Sequence, residues 1–251
     1  MDLSERILDF VARMALKLLN RGIGHDFIQR HLPAKYVNRI GWSYYYGRYT
    51  QQDYYQAFEW YAHAADRLYP PAMYNMGICL NFGHGIDQNY QMAEHFFKAA
   101  ADRGDADSQF NLAIYYLKGT AGPKDEKLFL EWLEKAAQQD QENALNLFGD
   151  LYRRGEIVGE KNIPLALDYY KRSAEKGFAL ATINLMSYYK LENDRQNAER
   201  WFYRFKRLPQ EDVEGLLQSL KTTKASLEKS LETIEDPSDE RNLPSNSIVP
   251  F

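Results

Sequence analysis

The chain has 251 residues, in which 31 lysines and arginines face 35 acids, so its formal charge is -4 at pH 7. This balance argues against a nucleic-acid-binding protein, which would carry a basic stripe. The single cysteine, Cys79, excludes a disulfide within this chain, and the sequence contains no run of about 18 apolar residues that would indicate an integral membrane helix.

The first predicted element is an amphipathic helix in the segment 1–33, which we expect to cap the repeats that follow. The apolar residues that share one helical face are Leu3, Ile7, Phe10, Met14 and Leu18. A membrane-surface helix is the less favoured alternative, because acids and bases are mixed on the polar face. Basic residues interrupt the apolar run, unlike in a signal peptide. We therefore predict a cytoplasmic protein, or a secreted or periplasmic one if a leader has been removed.

A pattern of small and aromatic residues then occurs five times, at a nearly constant step of 36 residues. The small position is occupied by Gly41, Gly77, Ala113, Gly149 and Met186. A second block carries an aromatic residue at Trp60, Phe96, Trp132, Tyr169 and Trp201. Apolar spacings of three and four within the blocks, and glycines between them, predict a helix, a loop and an antiparallel helix in each unit.

One such hairpin cannot bury its apolar face alone, whereas several stacked hairpins can. We therefore predict five repeats over residues 34–206, between N-terminal capping helices and a C-terminal helix. The predicted repeats cover about 34–69, 70–105, 106–141, 142–178 and 179–206.

The repeated pattern resembles the Sel-one-like repeats, which are relatives of the tetratricopeptide repeats. The stretches 72–104 and 144–177 show the family's pattern, which is small-x-x-x-Leu-Gly-x-x-Tyr-x-x-Gly, then an acidic residue in the loop, then Ala-x-x-aromatic-aromatic and Ala-Ala. The chain departs from the pattern at Leu80 and Met186. The resemblance implies an all-α fold, a right-handed superhelical solenoid of helix pairs, with a concave face that holds other proteins. It implies no reaction.

In tetratricopeptide-like hairpins the first helix lines the concave face, so the resemblance also indicates which positions look inward. The predicted partner-binding groove consists of Asn38, Trp42, Tyr45, Tyr46, Tyr74, Asn81, Phe82, Phe110, Lys118, Asn146, Asp150, Arg153 and Arg154. Aromatic residues dominate the first repeats and charged residues the fourth. We therefore expect a partner that is apolar at one end and charged at the other.

The sequence predicts no catalytic, cofactor or metal site. It lacks the nucleophile-elbow, phosphate-loop, dinucleotide and zinc-protease motifs, and its five histidines form no i, i+4 pair. We interpret Gly83-His84-Gly85 as a turn between helices rather than a phosphate loop. We interpret Cys79, on an apolar helical stretch, as a packed thiol.

Residues 207–235 predict a C-terminal helix with heptad spacing. Its apolar positions are Val213, Leu217, Leu220, Leu227, Leu231 and Ile234. It could fold back as a cap, which we favour because Lys224 interrupts the seam, or it could pair two copies into a dimer through 211–235. Residues 236–251 are polar and broken by proline, and predict a flexible tail with an apolar end.

These features favour a non-enzymatic bacterial adaptor that binds a peptide or protein partner in the concave groove. The alternative is an immunity protein that neutralises a toxin or effector, because a small repeat array with no enzyme attached suits that role. A degenerate hydrolase is the weakest interpretation, since Cys79 stands alone and no catalytic motif accompanies it.

Overall fold

The computed structural model describes residues 3–22, 24–156, 159–210, 213–216 and 218. Within these residues the protein is all-α, with no strand and with twelve helices whose two ends are described. They are α1 (Leu3–Leu19), α2 (His25–His31), α3 (Ala34–Tyr46), α4 (Tyr54–Ala65), α5 (Pro70–Phe82), α6 (Tyr90–Ala101), α7 (Ala106–Lys118), α8 (Glu126–Gln138), α9 (Glu142–Arg154), α10 (Ile163–Glu175), α11 (Ala179–Leu191) and α12 (Arg195–Phe205). The predicted fold of consecutive helical hairpins is confirmed.

The second helix of every hairpin begins with the same local device, a short polar side chain that accepts a hydrogen bond from the backbone N–H three residues later. These N-cap residues are Asp53, Asn89, Asp125, Asn162 and Asp194. The first helices of the first three hairpins end at a left-handed glycine: Gly47, Gly83 and Gly119. Glycine adopts the left-handed backbone conformation easily and therefore ends a helix well. The N-cap residues and these glycines thus repeat the same helix start and stop signals from hairpin to hairpin.

The two helices of a hairpin cross where one contributes glycine and the other an aromatic ring. A Cβ added at Gly41, Gly77 or Gly149 would lie 2.7, 2.6 or 2.5 Å from the nearest ring carbon. The rings belong to Tyr61, Phe97 and Tyr170, which are fully buried. Each ring follows the repeated aromatic position of the sequence pattern by one residue, so the pattern contains a second aromatic contact.

The chain divides into two compact units, Met1–Ala144 and Leu145–Phe251. In the first unit, α1 packs on α3, and the hairpins α3–α4, α5–α6 and α7–α8 pack in chain order. A continuous core runs through α1 to α6 and is centred on Trp60 and Tyr61. In the second unit, α10, α11 and α12 share a core that contains Tyr170, Leu185 and Trp201.

Helix α1 is present where the sequence predicts it, but its apolar stripe does not pack on the first repeat. The buried side chains of α1 are Asp9, Ala12, Ala15, Leu16 and Leu19. The five residues of the predicted apolar face are all exposed, from Leu18 at 39% to Leu3 at 74%. The face that packs is the one rich in alanine, because small side chains let α1 approach α3 closely.

Much of the predicted C-terminal helix, 207–235, and the whole predicted tail, 236–251, lie outside the described residues. Residues 213–216 are helical. The choice between a cap and a dimer through 211–235 stays a prediction.

Candidate functional site

Helices α3, α4 and α5 of the first unit enclose an open groove of about 260 Å³. It is lined by Tyr45, Tyr46, Tyr61, Tyr74, Asn75, Ile78 and Phe82. We call this set the aromatic groove. It brings together four of the predicted site residues, namely Tyr45, Tyr46, Tyr74 and Phe82. Because Tyr46 and Phe82 remain 59% and 58% exposed, their rings are available to a partner.

The turn between α5 and α6 holds Tyr45 in place. The Tyr45 hydroxyl lies 2.8 Å from His84 Nδ1, within hydrogen-bonding distance, and the His84 ring stacks on Tyr54 with ring centroids 4.4 Å apart. Gly85 makes this approach possible, since a Cβ there would lie 2.2 Å from the carbonyl oxygen of Tyr54. The Gly83-His84-Gly85 segment is therefore a turn that positions an aromatic side chain of the groove.

The groove presents neutral groups. Burial raises the pKa of Tyr74 to about 12, and burial is also the main cause that raises the pKa of Tyr45 above its usual value. Both phenols therefore stay protonated at neutral pH.

Cys79 is fully buried on α5, and burial raises the pKa of its thiol to about 12. Burial thus favours the neutral thiol over the thiolate, which is the nucleophilic form.

A pair of amides connects the aromatic groove to the preceding helix. Asn75, which lines the groove, donates from Nδ2 to Oδ1 of Asn38 on α3 at 2.9 Å. Trp42 lies against Tyr46, with ring centroids 5.0 Å apart, and the guanidinium of Arg39 lies 4.0 Å from a Trp42 ring centroid. Asn38 and Trp42 thus adjoin the groove through its lining residues rather than lining it themselves.

Three more predicted residues of the first unit lie apart from the residues that line the aromatic groove. Asn81 accepts a hydrogen bond at Oδ1 from the Tyr115 hydroxyl at 2.6 Å, so its amide connects α5 to α7. Phe110 and Lys118 lie on α7, where Phe110 is half-buried and Lys118 is exposed. Their inclusion in a binding site stays a prediction.

The charged residues predicted in the fourth repeat form a hydrogen-bonded network in the second unit. The Tyr170 hydroxyl donates to Asp150 Oδ1 at 2.7 Å and accepts from Arg153 Nε at 3.1 Å. Asn146 donates from Nδ2 to Asp150 Oδ2 at 3.4 Å and accepts at Oδ1 from Asn184 at 3.1 Å. These side chains therefore bond to one another across α9, α10 and α11.

Burial dominates the electrostatics of this network. It raises the pKa of Asp150, although the hydrogen bond from Tyr170 and the charge of Arg153 oppose the shift. Arg154, the last residue of α9, lies 3.9 Å from Glu156. The network thus holds a partly desolvated carboxylate that its neighbours stabilise, which is typical of a structural ion pair as well as of a site.

The described residues show no cluster of three or more His, Cys, Asp or Glu side chains that could hold a metal ion. None of the helices within that part of the chain is long and apolar enough to cross a membrane.

The Sel1 repeat family matches residues 35–67, 70–105, 106–141 and 143–178, which together make up more than half of the chain. The chain belongs to the Sel1 repeat family. Sel1 repeat proteins generally mediate protein–protein interaction. The fifth hairpin, α11 with α12, lies beyond the four matched stretches, in accordance with its atypical Met186 and with the short connection 192–194 between its two helices.

This Sel1 repeat chain is similar to three known proteins. Chitin synthase regulatory factor 3 of Schizosaccharomyces pombe is 28% identical over 135 residues, which are 52% of this chain and 14% of that protein. A Sel1 repeat protein from Oxalobacter formigenes is 28% identical, with a TM-score of 0.69 over 82% of this chain and 84% of its own. Immunity protein Pa5087 from Pseudomonas aeruginosa is 23% identical, with a TM-score of 0.53 over 70% of this chain and 67% of its own.

The predicted site lacks four residues of the aromatic groove and its support, namely Tyr61, Asn75, Ile78 and His84. Tyr61 could have been found, because the residue after each repeated aromatic is itself aromatic in most hairpins. Asn75 shares its repeat position with Asn111 and Asn184, which was also a visible signal. The role of His84 had no sequence signal, since it depends on how a turn packs against the preceding hairpin.

Proposed function

We propose that this Sel1 repeat chain is a non-enzymatic scaffold that binds a peptide or protein partner in the aromatic groove of its first unit. The observation that carries the proposal is the exposure of Tyr46 and Phe82 beside a concave, neutral groove. Large aromatic rings that are half exposed next to a cavity are what binding hot spots favour. The partner would insert an apolar or aromatic side chain there.

The amides support the same function. The pair of Asn38 and Asn75 lies beside the rings, and each amide keeps further hydrogen-bonding capacity after their mutual bond. A peptide backbone placed along α3 and α5 could bond to these amides while its side chains enter the groove. The fourth-repeat network would then act mainly as a support of the scaffold, because its polar groups bond to one another.

The immunity hypothesis stays a prediction. Immunity protein Pa5087, one of the similar structures, is under 25% identical and shows the fold alone. None of the described contacts tests the predicted cytoplasmic location or bacterial origin.

To test the aromatic groove, peptides that bind the unmodified chain are first selected from a phage-displayed random library. Fluorescence anisotropy then measures the affinity of the selected peptides for the chain and its variants. The groove variant is Tyr46→Ser with Phe82→Ser. Its matched control is Tyr55→Ser with Tyr203→Ser, since these two tyrosines are each 60% exposed. We expect the groove variant to lose tenfold or more in affinity, about 1.4 kcal/mol, and the control to stay within twofold.

Circular dichroism would first establish that both double variants fold. A folded groove variant that binds the selected peptides as tightly as the unmodified protein would contradict the proposal. Equal losses in both variants would also contradict it, because they would show general adhesion of aromatic surface rather than a site.

A further inference from the structure

Helix α1 exposes an apolar stripe of five side chains. Phe10 is 57% exposed, Met14 is 45% exposed, and Leu3, Ile7 and Leu18 lie along the same side of the helix. At 100° per residue these five side chains fall on the face opposite to Ala12, Leu16 and Leu19, which are buried. Among the described residues, the way in which α1 packs thus leaves this stripe exposed.

The packing of α1 also sorts its charges. Asp9 accepts from Arg39 Nε at 2.7 Å and from the Tyr49 hydroxyl at 3.2 Å, and Glu5 lies 3.5 Å from the same guanidinium. Both described acids of α1 therefore face Arg39 of α3. The mixture of acids and bases that the sequence shows on this helix is separated in the structure.

Basic residues remain beside the apolar stripe. Arg6, Arg13 and Lys17 are exposed, and their helical positions adjoin Phe10 and Met14 on one flank. An apolar face with arginine and lysine along its edge matches an anionic bilayer, where rings and aliphatic chains enter the acyl boundary and the cations reach the phosphates. The charge pattern thus complements a lipid surface.

A second copy of the chain fits the stripe less well. Five side chains that are mostly about half exposed fall well short of the roughly 800 Å² per partner that a stable protein interface usually buries. A bilayer has no such requirement, because burial of a few large side chains together with a few cations supports reversible binding. We propose that α1 is an interfacial helix through which the chain binds anionic membrane surfaces.

Vesicle flotation with the full chain tests this proposal. The probes are phosphatidylcholine vesicles with and without phosphatidylglycerol at about one lipid in three. We expect the chain to float with the anionic vesicles, to float at least fivefold less with the neutral ones, and to be released by high salt, because added salt screens charge attraction.

Two pairs of variants isolate the stripe. Phe10→Ser with Met14→Ser removes two exposed side chains of α1, and Tyr55→Ser with Met92→Ser removes two of closely similar exposure, 60% and 46%. We expect the first pair to lose at least fivefold in bound fraction and the second to bind as the unmodified protein does. Arg6→Gln with Lys17→Gln should lower binding to the anionic vesicles specifically.

Failure of the unmodified chain to float with anionic vesicles would overturn the proposal. Equal flotation of the two serine pairs would also overturn it. Light scattering after size exclusion tests whether a second copy of the chain binds the stripe instead. If the unmodified chain is a dimer and the double variant Phe10→Ser with Met14→Ser is a monomer, the stripe is a dimer interface and the proposal is wrong. Peptide binding in the aromatic groove involves different residues, so neither result depends on the other.

Discussion

The aromatic groove and the fourth-repeat network occupy the same repeat positions but use them in opposite ways. In the first unit, Tyr46 and Phe82 leave their rings exposed beside a cavity. In the second unit, Asp150 and Arg153 both bond to Tyr170, the residue that packs against the helix-crossing glycine of that hairpin. Equivalent positions in different repeats are therefore not equivalent sites, because side chains that can hydrogen-bond to one another do so.

Hairpins of both units nevertheless cross at a glycine that contacts an aromatic ring. The largest expected effect tests this common feature. Gly77→Ala in the first unit and Gly149→Ala in the second would each place a Cβ within 2.6 Å of a buried aromatic ring. We expect each to lower the free energy of unfolding by about 3 kcal/mol, the upper end of the usual range for overpacking. Urea denaturation measures both.

Gly122→Ala is the control for this pair, because no atom lies within 4 Å of a Cβ at Gly122 and its φ is not positive. It should leave stability within about 0.5 kcal/mol or raise it slightly. A small effect at only one of the two crossing glycines would show that the two units are not built alike.

Removal of one hydroxyl from each region sharpens the contrast. Tyr170→Phe deletes the donor to the half-buried Asp150 carboxylate and the acceptor of Arg153, so we expect the free energy of unfolding to fall by about 2 kcal/mol. Tyr45→Phe deletes a single hydrogen bond to His84 and should cost about 1 kcal/mol or less. The two midpoints of urea unfolding give the comparison, and equal costs would refute the distinction between a network and an open groove.

The smallest expected effect is a pH dependence that only the network should show. Because burial raises the pKa of Asp150, the folded chain keeps its proton at pH values where the unfolded chain, with a pKa of about 3.9, has lost it. The contribution of Asp150 to stability is therefore fully present below the unfolded pKa and declines as the pH rises through the folded pKa. The stability of the unmodified chain relative to Asp150→Asn should therefore fall as the pH rises above the unfolded pKa.

Asp194→Asn is the control of opposite sign. Hydrogen bonds from Asn197 lower the pKa of the Asp194 carboxyl at the start of α12. Its contribution is present above the unfolded pKa and is lost as pH falls through the folded pKa, so the stability difference should rise with pH. Parallel pH profiles of the two variants would show that Asp150 is not in a desolvated network.

The hairpins could be predicted from the sequence because each repeat contains its own helix-capping and helix-ending residues. A cap such as Asp53 or Asn89 acts on the backbone three residues away, and a glycine such as Gly47 ends a helix through its own backbone angles. Such signals are local, so they can be recognised without knowledge of the rest of the chain. The four predicted residues Tyr45, Tyr46, Tyr74 and Phe82 also meet in one groove, because fixed repeat spacing brings equivalent helix faces together.

The sequence did not predict which side chains hydrogen-bond to one another or which face of α1 is buried. Periodicity alone showed that α1 has an apolar stripe, whereas the pairing of Asp9 with Arg39 turns the opposite face inward. The Asp150 network likewise depends on Tyr170 from the next helix. By itself the sequence determined the repeat, its hairpins and the residues that share a helix face. Only the tertiary structure decided which faces stay open, because burial and hydrogen bonding depend on neighbours that are distant in the chain.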